Sequence, residues 1–143
     1  MLNAKGLTTN AEQIMNKTNY FRFEKLEVWR DAREFVSLVY KVTSTFPSKE
    51  QLGLINQIRR AAVSIVLNIA EGSTKGSDID FRRYLKIAQG SVNEVVAGFY
   101  IVLDQKFIGE KHFEQVYDFS LKINSKLNAF MKALVIKHSA LSN

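Results

Sequence analysis

Residues 55–72 read INQIRRAAVSIVLNIAEG, and the ten residues 61–70 within them carry no charge. A run this rich in β-branched side chains suits a buried strand as well as a helix. The period decides between them. Ile55, Ile58, Ala62, Ile65 and Ile69 recur at alternating intervals of three and four, a heptad seam that begins before the uncharged run and continues through it, as a strand would not. The stretch therefore reads as the second helix of the chain, from about residue 49 to residue 71. Ser48 opens it as an N-cap with Gln51 in the capping-box position, and Gly72 is expected to end it as a left-handed stop.

The same period organises the chain on either side. Over residues 26–46, Trp29, Ala32, Val36, Val39 and Thr43 form a stripe that Phe35, Val42 and Phe46 widen, and Phe46-Pro47 breaks it. Ser77 and Asp80 repeat the capping-box spacing before a third seam of Phe81, Tyr84, Ala88, Ser91, Val95, Gly98 and Val102. After Gly109 a fourth follows through Phe113, Val116, Ser120, Ile123, Leu127, Phe130 and Leu134. Four long helices joined by short loops predict an all-α fold, an antiparallel up-down-up-down four-helix bundle, because short connections make consecutive helices antiparallel neighbours. The bundle is expected over residues 23–139. Residues 1–22, polar and without a sustained period, read as a loosely ordered N-terminal tail, with Met15 as an alternative start to Met1.

Composition narrows the function classes. A chain of 143 residues can bury a core as one domain, and without cysteine it has no thiol nucleophile, iron–sulfur cluster or thiolate metal site. No stretch approaches the ~18 apolar residues of a membrane span, and there is no charged-then-apolar leader, so a cytoplasmic protein without membrane contact is expected. Lys and Arg exceed Asp and Glu by 20 to 14, a net charge of +6, which favours a polyanionic partner such as nucleic acid.

The second helix is apolar beyond its seam. At about 100° per residue, Leu52, Val63, Leu67 and Ala70 lie well round from Ile58 and Ile65. Either the core stripe is unusually wide or a second face is buried against another subunit. The opposed direction of Leu67 favours the second reading, and a homo-oligomer is expected. Between the two apolar faces runs a polar stripe of Gln57, Arg60, Ser64, Asn68 and Glu71. It is either an ordinary solvated face or, if partly buried, a device that sets helix register and subunit orientation, with Arg60 and Glu71 able to pair with Glu94 or Arg83.

Catalytic chemistry finds little support. His112 and His138 have no metal-ligand companion at helical spacing, no paired Glu-x-x-His motif marks a di-iron site, and no Walker or dinucleotide loop is present. Glu71 facing Glu94 would be an acid/base pair, but salt bridges to Arg59, Arg60 or Arg83 are the simpler use. Catalytic residues, metal and cofactor are therefore all read as none. The basic residues are the better lead. Lys75, Arg82, Arg83 and Lys86 gather where the third helix begins, and Lys122, Lys126, Lys132 and Lys137 lie on the last half of the fourth, where Lys122, Lys126 and Lys137 share one side. These side chains are the candidate nucleic-acid contacts, against the plainer role of a solubilising lysine face. Because aromatics fall on the seams, recognition through phosphates is expected rather than base stacking.

Residues 57–72 also resemble the signature of the bacterial 23S ribosomal RNA intervening-sequence proteins. Phe23, Leu26, Val28, Trp29 and Ala32 resemble that family's opening segment, and Phe81, Tyr84, Leu85, Ile87, Ala88, Gly90, Ser91 and Glu94 its third-helix segment, so that the similarity spans about residues 21–135. The resemblance implies an antiparallel four-helix bundle assembled into a ring, typically a homopentamer, and implies no enzymatic activity. It further implies an RNA partner or, alternatively, a protein partner such as the reverse transcriptase of a diversity-generating retroelement, for which similar bundles are accessory scaffolds.

Overall fold

The computed structural model describes residues 20–47 and 52–142, with side chains from residue 53 to residue 135 in the second stretch. It contains four α-helices: α1 (Glu27–Thr43), α2 (Leu52–Gly72), α3 (Asp78–Asp104) and α4 (Glu110–Ser142), preceded by a 3-10 turn at Arg22–Lys25. The chain is an all-α four-helix bundle in which each helix packs on its neighbours in sequence and α4 closes the circuit against α1. Cross-helix contacts run antiparallel. Ser64 meets Ser91, while Ile58 meets Gly98 and Gly72 meets Tyr84, so numbers rise along α2 as they fall along α3. Likewise Phe81 faces Phe130 and Tyr100 faces Phe113 between α3 and α4.

The seams become the core. Ile58, Ala62, Ile65 and Ile69 of α2 are buried together with Phe35, Phe81, Leu85, Val95, Phe99, Ile123 and Leu127. In α1 the buried line is Val28, Ala32, Phe35, Val39 and Val42, rotated from the expected stripe, and Trp29 and Val36 sit half-buried at its edge. The N-terminal turn explains the rotation, because Phe23 lies 4.7 Å from the Trp29 ring and gives it a partner outside the core. That turn is held by the Phe21 amide donating to Glu24 Oε1 at 2.9 Å.

Three local expectations change. Helix α1 stops at Thr43 rather than Phe46, since the hydroxyls of Thr43, Ser44 and Thr45 each donate to a carbonyl three or four residues back and take up the last turn's acceptors. Gly72 is not a left-handed stop. It is the last helical residue, without a positive φ, and a Cβ there would lie 2.7 Å from Tyr84 Cβ, so the glycine serves close helix approach. Among the described non-glycine residues the positive φ belongs to Lys106, at 61°, in the α3–α4 loop. At α3, Ser77 caps as expected, its hydroxyl accepting from the Asp80 amide at 3.1 Å. The Ser48–Gln51 cap and nearly all of the N-terminal tail lie outside the described residues.

Candidate nucleic-acid interface

The capped start of α3 fixes the direction in which its first turns present Arg82, Arg83 and Lys86. Arg83 leans back to Asp80 at 3.5 Å, and Lys75 stands 3.9 Å from Glu71 and over the Tyr84 ring at 4.8 Å. Both are surface pairs of the kind worth under about 1 kcal/mol, so neither cation is locked. Arg82 and Lys86 turn the other way, toward α4. There they meet Lys132, Asn128, Met131 and Val135 around an open groove of about 580 Å³. No carboxylate lines this groove. Arg82 Nε, closed off from solvent, has no hydrogen-bond partner, so its desolvation is uncompensated. Gln89 braces the groove by donating to Asn124 Oδ1 at 2.9 Å and Asn128 Oδ1 at 2.7 Å, so both amides present their acceptors to Gln89 and keep their N–H donors.

The second basic cluster divides. Lys126 donates to Glu27 Oε1 at 2.7 Å and, more closely still, to Asp31 Oδ2, while Lys122 lies 3.6 Å from Asp31 Oδ1 and 5.3 Å from the Phe119 ring. These two lysines join α4 to α1 and are not an open cationic face. The carboxylate of Asp31, then that of Glu27, holds the Lys126 ammonium above its ordinary value despite partial burial. Within α4 itself no acid follows Lys122. The acids come from α1, about 95 residues earlier. Lys132, turned toward α3, is the residue of that cluster that joins Arg82 and Lys86. Its signal was in the sequence: it lies four residues after Asn128 and about 80° round the helix from Lys122. The side chain of Lys137 lies outside the described residues.

On α2 the middle of the polar stripe is stitched to its own helix and to α3. Asn68 Nδ2 donates to Ser64 O at 2.8 Å and Ser64 Oγ at 2.9 Å, and Ser91 Oγ reaches Ser64 Oγ at 2.9 Å. Gln57, Arg60 and Glu71 are exposed. The expected bridges from Arg60 and Glu71 to Glu94 and Arg83 are not made; Glu71 instead faces Lys75 and the Tyr84 hydroxyl, the latter at 3.4 Å. Beside the stripe Val63 and Ala70 are half-buried and Leu67 is 60% exposed, while the side chain of Leu52 is outside the described residues.

The family model described as 23S rRNA-intervening sequence protein matches residues 24–129, from the second half of the N-terminal turn through α1, α2 and α3 and over more than half of α4. The chain belongs to this family. Among solved structures it is similar to a protein of unknown function from the S23 ribosomal protein family of Bacteroides thetaiotaomicron, with 25% identity and a TM-score of 0.67 over 73% of this chain and 98% of that one. No curated protein matches it. The family match ends three residues before Lys132, so this intervening-sequence family member completes its α3–α4 groove with a cation outside the matched segment. No described helix is long and apolar enough to cross a membrane.

Proposed function

We propose that this protein is a non-enzymatic, homo-oligomeric bundle, pentameric and cytoplasmic, that holds structured RNA by its phosphates in the α3–α4 groove. The observation that carries the reading is the convergence of Arg82, Lys86 and Lys132 on a groove free of carboxylates. A guanidinium is suited to bidentate contact with phosphate oxygens, and the two ammonium groups add charge without demanding a base sequence. Five copies of a +6 chain would place about +30 on one body and repeat the groove around an axis, which multiplies a weak phosphate contact into avidity. Arg83 and Lys75, whose surface pairs are weak, extend the contact beyond the groove.

The test is fluorescence anisotropy with a folded RNA across a salt series, with an oligomer mass from light scattering. Affinity is expected to fall steeply with salt. Replacing Arg82, Lys86 and Lys132 together by Ala is expected to lower the magnitude of the log–log slope by roughly 0.7–0.9 for each phosphate that is no longer neutralised. Lys122→Ala, which removes an α1–α4 pair, should leave the slope nearly unchanged. No RNA binding at low salt would refute the reading and leave a protein-interaction scaffold. An unchanged slope in the triple variant would remove this groove from it.

A further inference from the structure

Two exposed apolar surfaces remain after the core and the basic groove are assigned. One is the outer face of α2, where Leu67 is 60% exposed and Val63 and Ala70 are half-buried. The other lies between α3 and α4, nearer the α3–α4 loop than the basic groove. It is a cleft of about 330 Å³ flanked by Val96, Tyr100, Tyr117 and Leu121, of which Tyr100 is 48% and Leu121 51% exposed. α4, which carries Tyr117 and Leu121, stands across the circuit from α2, while α3, the other wall of the cleft, adjoins α2.

Their charges are complementary. Arg60 precedes Leu67 by seven residues on α2, so the two share one line of that helix, and Arg60 is exposed with no ion pair among the described residues. Glu114 precedes Leu121 by the same seven residues on α4, and Asp118 lies between them; both carboxylates are exposed and without an ion pair among the described residues. Each surface is therefore a charge two turns before a leucine, positive on α2 and negative on α4.

Direction and height also agree. In this up-down bundle α2 and α4 run the same way, so rotation about an outside axis parallel to the helices would bring α2 of one copy parallel to α4 of the next and set Arg60 toward the acidic turns as Leu67 nears the cleft. Ser64 stands level with Ser91, and Gln89 bonds both Asn124 and Asn128, which puts Leu67 of α2 just beyond Asn124 of α4, about one turn past Leu121, and Arg60 level with Asp118. A closed ring rotates its copies without translating them, so such a contact sets Arg60 against Asp118 and brings Leu67 to the Asn124 end of the cleft.

We infer that the Arg60–Leu67 face of α2 and the Glu114–Leu121 cleft of α3 and α4 are the two halves of one head-to-tail contact between copies of this chain. The inference rests on the homo-oligomer reading above and adds which surfaces meet. It also explains why Leu67 is a leucine at a position that is mostly exposed in one copy.

The experiment uses Leu67→Glu and Leu121→Glu, each checked for helicity by circular dichroism, with masses from light scattering. Each variant alone is expected to fall to one subunit, because each destroys one half of every contact. Mixed in equal amounts, they are expected to give a heterodimer of two subunits and nothing larger, since the intact cleft of the first variant accepts the intact α2 face of the second. That mixture also reports on folding, because a misfolded variant cannot supply its remaining half. A variant that keeps the wild-type mass, one that dimerises by itself, or a mixture that stays at one subunit would overturn the pairing while leaving an oligomeric wild type in place. A wild-type protein of one subunit would overturn the homo-oligomer reading itself.

Discussion

Gly98 offers a sharp test of how α2 and α3 pack, because two effects of known size oppose each other there. In an exposed helix interior, Gly→Ala stabilises by about 1 kcal/mol through backbone entropy. In this bundle Gly98 is buried against α2, and a Cβ would lie 2.7 Å from Ile58 Cγ1 and 3.1 Å from its Cδ1, with Ile58 only 1% exposed. Overpacking of this kind costs about 1–3 kcal/mol, and a clamped isoleucine puts Gly98→Ala toward the upper part of that range. The net expectation is destabilisation of about 1–2 kcal/mol. Ile58→Ala alone should cost about 2–5 kcal/mol by opening a cavity. In the double variant the new methyl enters space that Ile58 has vacated, so the two costs should fall short of additivity by at least about 1 kcal/mol. Urea unfolding followed by circular dichroism, at one fixed protein concentration because association shifts apparent stability, measures all four corners of the cycle. Stabilisation by Gly98→Ala, or additive costs, would refute the close approach of α2 and α3 described above.

Two further outcomes follow from local contacts. Gly72→Asn would be tolerated at a left-handed stop but should cost about 1–3 kcal/mol in urea unfolding here, because its Cβ meets Tyr84 Cβ. The raised pKa of Lys126 means that its partnership with Asp31 and Glu27 is fully present below the ordinary lysine value of 10.5 and is lost as pH rises through the higher folded value. Lys126→Met should therefore lower stability at neutral pH by about 0.5–1 kcal/mol, a surface-pair magnitude, and flatten the alkaline limb of a stability–pH profile. An alkaline limb equally steep in the variant would remove Lys126 from that role.

The helices were legible because each repeats an apolar residue every three or four positions over many turns, a signal that a single misplaced residue does not erase. Ile58, Ala62, Ile65 and Ile69 were read as core and are core. The reading failed where the deciding atoms lie on another element. Trp29 looked like core until Phe23 supplied an outside partner, and Gly72 looked like a φ requirement until Tyr84 was placed against it. Lys122 and Lys126 looked unopposed until α4 was laid beside α1. Along α4 itself nothing reveals that Asp31 will stand opposite.

The amino-acid sequence by itself determined four helices, their order, the core line of α2 and a cation excess, because helical period and side-chain charge are local properties. It also placed Leu67 opposite the core face of its helix. Only the tertiary structure decided which cations act together. Arg82 and Lys86 share one helix, but Lys132 reaches them from another helix about 46 residues later, across an interface that exists only once α3 and α4 have packed. The same packing set two leucines on non-adjacent helices, Leu67 and Leu121, within about one turn of each other in height. Helical period sets the direction of a side chain within its own helix; its neighbour is set by how the helices meet.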